Sequence, residues 1–439
     1  MSIKYYRYFI IYLFLKFISI KNYEIIIPFN SSLSKIKKDL TPLKFIQSLI
    51  NNNLYININI GTPPQNIQFL LDFNNYDSYI VYKSKYDNYS SSSFNKINIQ
   101  NNFYSSDYSY SYLASDIISF NEKNNISNFS FIFNHVIKPK NDPFINNAGI
   151  LGFGVGQLRN VKYKDSLLDQ LKRKNYINNY QFILVFNNED FNGKIILDKN
   201  IYEEYPEENL VYDYSIFTND YTYIFSWGWE YIILYYNNDL LEIKNVFLKP
   251  EFGAIIASDK IKNIFLKNFF KSKIEQKICD EYTFENYYYF YCEKNININE
   301  FSKLEFCLKR KNMNFTLDSN DLFYKYNNKI YFLIIFKNDI KAEDIYLGYP
   351  FFKKYNTLFN LDSKIVGFYN TKFDYNIKEK HESNKYKNIL EKNDNNNIWK
   401  IILIFGLIFG IVIILFLSFY IYRDIKRKSK GKLFEELNP

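Results

Sequence analysis

The chain is short of the residues from which metal centres and cross-linked folds are built: 439 residues contain three cysteines and two histidines. Neither histidine stands near a cysteine or carboxylate cluster with ligand spacing, which argues against a zinc site, and no cofactor is expected. Cys279, Cys292 and Cys307 all fall within one short region, and an odd number cannot pair completely. Cys279 and Cys292 would close a small loop in an oxidising compartment, although the sequence leaves open which pair forms. Alanine and glycine are scarce, while asparagine, lysine, isoleucine and tyrosine dominate. That bias is the mark of an AT-rich coding sequence, so the runs Asn51 to Asn53 and Asn395 to Asn397 read as drift rather than recognition motifs. What is also missing is any basic stripe interleaved with aromatic residues. A net charge of +9 therefore does not point to nucleic acid, because its positive residues are scattered or gathered in the last segment.

Aromatic side chains, by contrast, make up 20% of the residues. The length exceeds what one hydrophobic core usually fills, so two lobes are expected. The ends carry membrane signals. Lys4 and Arg7 precede an apolar run from Phe9 to Ile20, interrupted by Lys16, in the order of a secretory signal, so residues 1–22 are a signal peptide or an N-terminal anchor. Ile401 to Tyr422 carries no charge and is long enough to cross a bilayer, with Trp399 and Tyr420/Tyr422 at its borders. Arg423, Lys426, Arg427, Lys428, Lys430 and Lys432 follow at once. This pattern predicts a single span over 399–422, a basic cytoplasmic tail over 423–439, and a large domain that is lumenal or extracellular. Asn-x-Ser/Thr sequons at Asn30, Asn88, Asn125, Asn128 and Asn314 are about as frequent as chance in such a chain and carry no weight.

Between the ends, short segments of period-two alternation separated by turn residues predict strands. They run over Leu54 to Ile60, Ile67 to Leu71, Ser78 to Tyr82, Ser111 to Phe120, Ser130 to Ile137 and Gln181 to Phe186, and resume from Tyr221 to Phe247 and past Ile330. Leu167, Leu168 and Leu171 predict a helix over Ser166 to Lys174. A break near Tyr202 to Asn209 divides an N-terminal lobe, 54–202, from a C-terminal lobe, 203–372, and a polar stalk, 373–398, leads to the membrane. Residues 23–53, with Lys35, Lys37, Lys38 and a helix-like Leu43 to Leu49, are a pro-segment or a linker. The fold class expected is all-β and two-lobed, with a C-terminal transmembrane helix.

Five stretches fall in the order found in pepsin-like aspartic peptidases. IGTPPQNIQFLLD (Ile60 to Asp72) resembles the first active-site strand. YLASDIIS (Tyr112 to Ser119) resembles the second strand of the flap hairpin and places Tyr104 at the flap tyrosine. AGILGFG (Ala148 to Gly154) resembles the segment threading behind the first active-site loop. GKIILD (Gly193 to Asp198) resembles the segment closing the first lobe. YLGYPFFKKYNTLFNLDSKIVGFYN (Tyr346 to Asn370) resembles the terminal ILGDxFLRxYYTVFDxDNxxVGFA stretch. The resemblance covers Leu54 to Asn370.

It implies a dyad of aspartates, one per lobe, sharing a proton and activating water for attack on a peptide bond. Asp72 takes the first position. Phe73 then replaces a threonine or serine whose hydroxyl bonds across to the other lobe, Asn74 replaces a glycine, Asn75 retains a side chain that can donate to Asp72, and Tyr79 replaces a tryptophan beneath the flap. In the second lobe, aligning the apolar run of FGAIIASDKIKNIF (Phe252 to Phe265) puts Ala257 where the second aspartate belongs. Ser258 keeps a hydroxyl, while Asp259 and Lys260 replace the following glycine and threonine or serine. A shift by two residues would supply Asp259 instead, at the expense of Lys260-Ile261 in place of Thr-Gly. Lys260 is expected to pair with Asp72. Asp72 thus reads as a relic carboxylate in a membrane-anchored, catalytically degenerate homologue whose cleft binds peptide or protein. An active aspartic endopeptidase and a structural or adhesion ectodomain are the alternatives, and the lipid bilayer, met through Ile401 to Tyr422, is the other expected partner.

Overall fold

A computed structural model describes residues 25–35, 40–73, 78–81, 86–97, 110–120, 125–135, 149–154, 166–187, 190–197, 201, 205–206, 210–214, 218–219, 225–308 and 313–369. All of them lie in the first of the two units into which the chain divides, Met1–Thr371. The expected signal segment, stalk, transmembrane span and basic tail lie outside the described residues, as does most of the expected boundary at Tyr202 to Asn209. Among the described residues, no helix is long and apolar enough to cross a membrane.

The first lobe is built from β1 (Ile25–Ser31), β2 (Leu54–Ile60), β3 (Gln65–Asp72), β4 (Tyr79–Val81), β5 (Asn95–Ile97), β6 (Tyr110–Ser119), β7 (Asn125–His135) and β8 (Gly149–Gly152). In β2 the alternation predicted from LYININI is realised: Ile56, Ile58 and Ile60 are buried and Asn57 and Asn59 exposed. A four-residue turn with a cis Thr62–Pro63 bond joins it antiparallel to β3, Ile58 facing Ile67 and Ile60 facing Gln65. Gly61 opens that turn at φ +87°, and a Cβ there would lie 2.7 Å from Ser91 Oγ, so the position needs glycine on both counts. The predicted helix appears as Leu167–Arg173, begun by a capping box between Ser166 and Asp169.

β9 (Gln181–Phe186), β10 (Gly193–Leu197) and β11 (Leu210–Tyr214) follow, then a small separate pair, β12 (Thr218–Asn219) and β13 (Phe225–Ser226). The second lobe comprises β14 (Gly228–Tyr236), β15 (Asp239–Leu248), β16 (Ile255–Ala257), β17 (Cys279–Phe284), β18 (Tyr287–Glu293) and β19 (Leu304–Leu308). It continues with β20 (Met313–Leu317), β21 (Phe323–Tyr326), β22 (Lys329–Phe332), β23 (Ile334–Lys337) and β24 (Asp344–Leu347), before β25 (Asn356–Asn360) and β26 (Ile365–Tyr369) return to the first sheet.

Two orders of strands repeat. The first sheet contains β2-β3-β8-β4-β7-β6 and the second contains β14-β15-β24-β16-β23-β18, with the same sense of pairing across the three central contacts. In each, a long hairpin strand runs parallel to a short apolar strand, which in turn lies antiparallel to a second short strand. Strands β11-β26-β25-β9-β10-β1 extend the first sheet and draw the last strands of the chain back beside the first. Ile183, Ile196, Ile201, Leu358 and Tyr369 form a buried apolar cluster there.

Of the segment expected to be a pro-segment or linker, β1 is an interior strand, with Ile27 paired to Ile195 and Ser31 to Leu54. The helix Pro42–Ile50 lies on the second lobe, its buried Phe45 ring 4.5 Å from those of Tyr326 and Tyr331 and 5.8 Å from that of Tyr324.

Candidate functional site

Strand β3 delivers Asp72 at its C-terminal end. The parallel register with β8 sets Leu71 beside Leu151 and Asp72 beside Gly152, and the Phe153 amide donates to the Asp72 carbonyl at 2.7 Å. The residue is half-buried. Phe73 turns the other way. It is buried, with its ring 5.9 Å from Phe153, 6.2 Å from Phe182 and 6.4 Å from Phe359, and Trp227 lies 5.0 Å from Phe359 behind them. The residue expected to be a lost hydroxyl is therefore an aromatic anchor joining β8, β9 and β25. Asn74 and Asn75, and the flap position Tyr104, lie outside the described residues. Beyond the loop, Ser78 accepts from Gly152 N at 3.3 Å through its hydroxyl and from Ile132 N at 2.9 Å through its carbonyl, which fixes the start of β4.

A carboxylate that sequence reasoning did not single out organises the neighbouring turn. Asp116, on β6, is fully buried. Its Oδ2 accepts from Tyr86 Oη at 2.5 Å and Ser91 Oγ at 2.8 Å, and its Oδ1 from Ser93 Oγ at 2.6 Å and the Ile117 amide at 2.7 Å. Ser91 Oγ in turn accepts from Thr62 N at 3.0 Å, and Ser93 Oγ reaches Thr62 Oγ1 at 2.9 Å. Burial first, then the hydrogen bond to Asp116 and its charge, push the Tyr86 hydroxyl well above the ordinary tyrosine range. The hub ties the IGTPPQ turn, and so the start of β3, to the strand behind it. Its one sequence signal was the single charged residue in YLASDIIS.

In the second lobe, the register corrects the alignment made from sequence. Ala257 ends β16, and β16 is the counterpart of β4, the strand that follows the first-lobe loop, rather than of β3. Gly152 and Gly348 each close an apolar pair, Ile150-Leu151 and Tyr346-Leu347. Leu71 faces Leu151 and Leu248 faces Leu347, so Asp72 and Lys249 occupy matching places. Counting back from the other strand agrees. Tyr79 faces Ile150 and Ile256 faces Tyr346, and Asp72 and Lys249 each stand seven residues before these. The Lys249 amide donates to the Leu347 carbonyl at 2.9 Å and continues the parallel ladder. Pro250, Glu251 and Phe252 then correspond to Phe73, Asn74 and Asn75.

The residues expected beside the second carboxylate serve other ends. Ala257 is fully buried between Ile345 and Phe336. Ser258 is buried, and its hydroxyl donates to the Ala342 carbonyl at 3.1 Å. Asp259 opens the helix Asp259–Phe265 and accepts from the Asn338 side-chain amide, whose oxygen accepts from Tyr288 Oη at 2.8 Å. Lys260 is exposed, and no ion pair joins it to Asp72. The reason is helical: Ile261 and Phe265, four apart, take the inward face and leave Lys260 outside.

The second loop is held from two sides. Tyr349 N donates to Phe252 O at 2.8 Å and Gly253 N to Leu49 O at 2.9 Å, the latter from the N-terminal helix. At Gly348 a Cβ would fall 2.1 Å from the Ala254 carbonyl, so backbone crosses backbone there and only glycine fits. Beyond it the helix Tyr349–Lys354 is clamped by Lys354, 2.6 Å from Asp321 Oδ2 and 3.3 Å from Asp318 Oδ2. Further out, a disulfide joins Cys279 to Cys292 across the hairpin of β17 and β18, and Cys307, half-buried on β19, lies outside that bridge. That hairpin stands in the second lobe where β5 and β6 stand in the first.

Comparison with known proteins adds three findings. A family model described as eukaryotic aspartyl protease matches residues 53–371. Among solved structures, the aspartic proteinase from Irpex lacteus is similar in fold, with a TM-score of 0.55 at 12% identity, covering 81% of this chain and 99% of that one. No curated protein sequence matches the chain.

Proposed function

The chain belongs to the eukaryotic aspartyl protease family, and from that premise we propose that it is a membrane-anchored member that no longer hydrolyses peptide bonds and whose cleft binds peptide or protein. The observation that carries this reading is the second-lobe register: the place matching Asp72 holds Lys249, and Ala257 lies one strand further on. Hydrolysis by this architecture needs two acids close enough that one remains protonated while the other draws a proton from water. A single carboxylate supplies the base without the acid, so the carbonyl oxygen is not protonated as the water attacks. Asp72 remains on its strand end, its carbonyl accepting from the Phe153 amide, in keeping with a relic of the site rather than a working one. The anchor rests on the uncharged run Ile401 to Tyr422 and the basic residues after it, which favour a lumenal or extracellular orientation for the lobes.

The test is an acid-pH digestion of an unfolded protein by the full-length chain in detergent, with and without a statine-containing peptide inhibitor. No inhibitor-sensitive cleavage is expected; cleavage that the inhibitor abolishes would establish an active endopeptidase. Carbonate extraction of membranes, with protease protection of the lobes, checks the anchor and its orientation.

A further inference from the structure

We propose that residues 25–53 are a permanent strap, retained in the mature protein, that ties the first sheet to the second-lobe loop Lys249 to Gly253, and are not a segment removed by maturation. The inference stands apart from the loss of hydrolysis, since such a strap would serve a working cleft equally well. Three sets of contacts carry it.

The first belongs to the strand. β1 is seven residues long and lies between β10 and β2, with Ile25, Ile27 and Phe29 buried. The Phe29 ring stands edge-on to Phe186 at 5.1 Å, and Phe186 lies 5.4 Å from Tyr349, which opens the helix Tyr349–Lys354. Removing β1 would bare the ladder groups of both neighbouring strands. The second set closes the neck where the chain leaves the sheet and returns to it. Ser31 and Asn52 are buried, and Ser31 Oγ donates to Asn52 Oδ1 at 2.6 Å and accepts from Leu33 N at 3.0 Å. Ser31 N donates to Asn192 Oδ1 at 2.9 Å, Ser32 N to the Asn53 carbonyl at 2.9 Å, and Asn53 N to Ser32 Oγ at 3.1 Å. The two ends of the excursion are thus bound to each other, whether or not the chain between them is intact.

The third set lies on the second lobe. The buried Phe45 ring packs on Tyr324, Tyr326 and Tyr331, and Leu40 N donates to Tyr326 Oη at 3.2 Å. At the other end of that helix the Leu49 carbonyl accepts from Gly253 N at 2.9 Å. A Cβ at Gly253 would fall 2.6 Å from Leu33 Cδ1 and 3.1 Å from Leu49 Cα, so the segment lies hard against the backbone of the loop. Nothing downstream of a cut can replace β1. Cleavage after Lys38 leaves Asp39, Leu40 and Thr41 ahead of the helix. Three extended residues span about 10 Å, against about 23 Å for the seven of β1.

The test begins with the protein purified in detergent from the cell that makes it, its N-terminal peptide read by mass spectrometry. The folded chain should begin no later than Ile25; a folded form beginning further on would overturn the proposal. In a second arm, a specific protease site is inserted after Lys38 and cleaved. The fragment ending there should stay with the remainder through native gel filtration and part from it in denaturant. Loss of the fragment under native conditions, with the remainder still melting cooperatively, would refute the strap. The third arm reads the loop by deuterium exchange. Phe45→Ala should speed exchange at least about tenfold in the peptide covering Lys249 to Ile255 and leave that covering β7 unchanged. Phe45→Leu, which keeps an apolar side chain without the ring, should give a smaller rise in the same peptide and serves alone if the alanine variant does not fold. Exchange equal to wild type in a folded variant would refute the hold on the loop. Peptide hydrolysis enters none of these readouts, so the strap and the inactive cleft stand or fall separately.

Discussion

Replacing Asp116 with alanine tests whether a buried carboxylate organises the approach to the cleft. The side chain is fully buried and accepts four hydrogen bonds, from Tyr86, Ser91, Ser93 and the Ile117 amide. Ser93 is partly exposed and can turn to water, but the Tyr86 hydroxyl and the Ser91 hydroxyl are enclosed and would lose their acceptor. At about 1–3 kcal/mol for each orphaned buried donor, Asp116→Ala should lose about 4 kcal/mol. For a folded unit of this size that corresponds to about 8 °C or somewhat more in Tm, taking roughly 2 °C per kcal/mol at the large end of the scale. Tyr86→Phe should cost less, about 1–2 kcal/mol, because the carboxylate keeps its other three donors. In the double variant Tyr86→Phe should add almost nothing to Asp116→Ala, since the hydroxyl it removes is already unpaired. Thermal or urea unfolding of the four proteins reads these values, and proteolysis near residues 86–93 should accelerate in parallel. A loss below about 1 kcal/mol for Asp116→Ala, or strict additivity with Tyr86→Phe, would refute the reasoning.

Phe73→Thr, which restores the family's residue, should destabilise by about 3–5 kcal/mol because it empties an aromatic site between Phe153, Phe182 and Phe359; urea unfolding checks it. Lys354→Met should cost about 1–3 kcal/mol by leaving Asp321, 15% exposed, without its cation. Burial raises the Asp318 carboxyl, but the Lys354 charge and backbone donors outweigh it and hold it below the ordinary range; burial lowers Lys354, and its two aspartates outweigh that and hold it above. The clamp's contribution is therefore full between about pH 4 and pH 10, fading below as Asp318 takes up its proton and above as Lys354 loses its own, and the pH dependence of Tm should flatten at both ends in Lys354→Met. Cys279→Ser with Cys292→Ser should lower stability by about 2–3 kcal/mol, the loop being short at a separation of 13 residues, and reductant should reproduce that loss in the wild type but not in the variant.

What was legible beforehand follows from the range of the interactions that write it. The alternation of LYININI and the leucine spacing of Leu167, Leu168 and Leu171 are local, and β2, β3 and the capped helix appear within a residue or two of their expected places. The second-lobe site was misread because AIIAS has the local look of an active-site strand, and apolar runs do not announce their neighbours. Its identity depends on Leu248 facing Leu347 and Ile256 facing Tyr346, contacts about ninety to a hundred residues apart along the chain. A signal existed: the spacing from Lys249 to Ile256 repeats that from Asp72 to Tyr79, once the two apolar-apolar-Gly segments are used as the ruler.

The sequence by itself determined the family, through five stretches in order, and the strand-end position of Asp72, because strand propensity, turn chemistry and a glycine at positive φ are properties of short segments. Only the tertiary structure decided what faces what. It sent Phe73 into the core, turned Lys260 to solvent, gathered three hydroxyls and an amide on Asp116, and set Lys249 in register with Asp72. Each of those outcomes is a competition for buried space and for partners between segments far apart in the chain, and such competition is resolved only when the sheets close on one another.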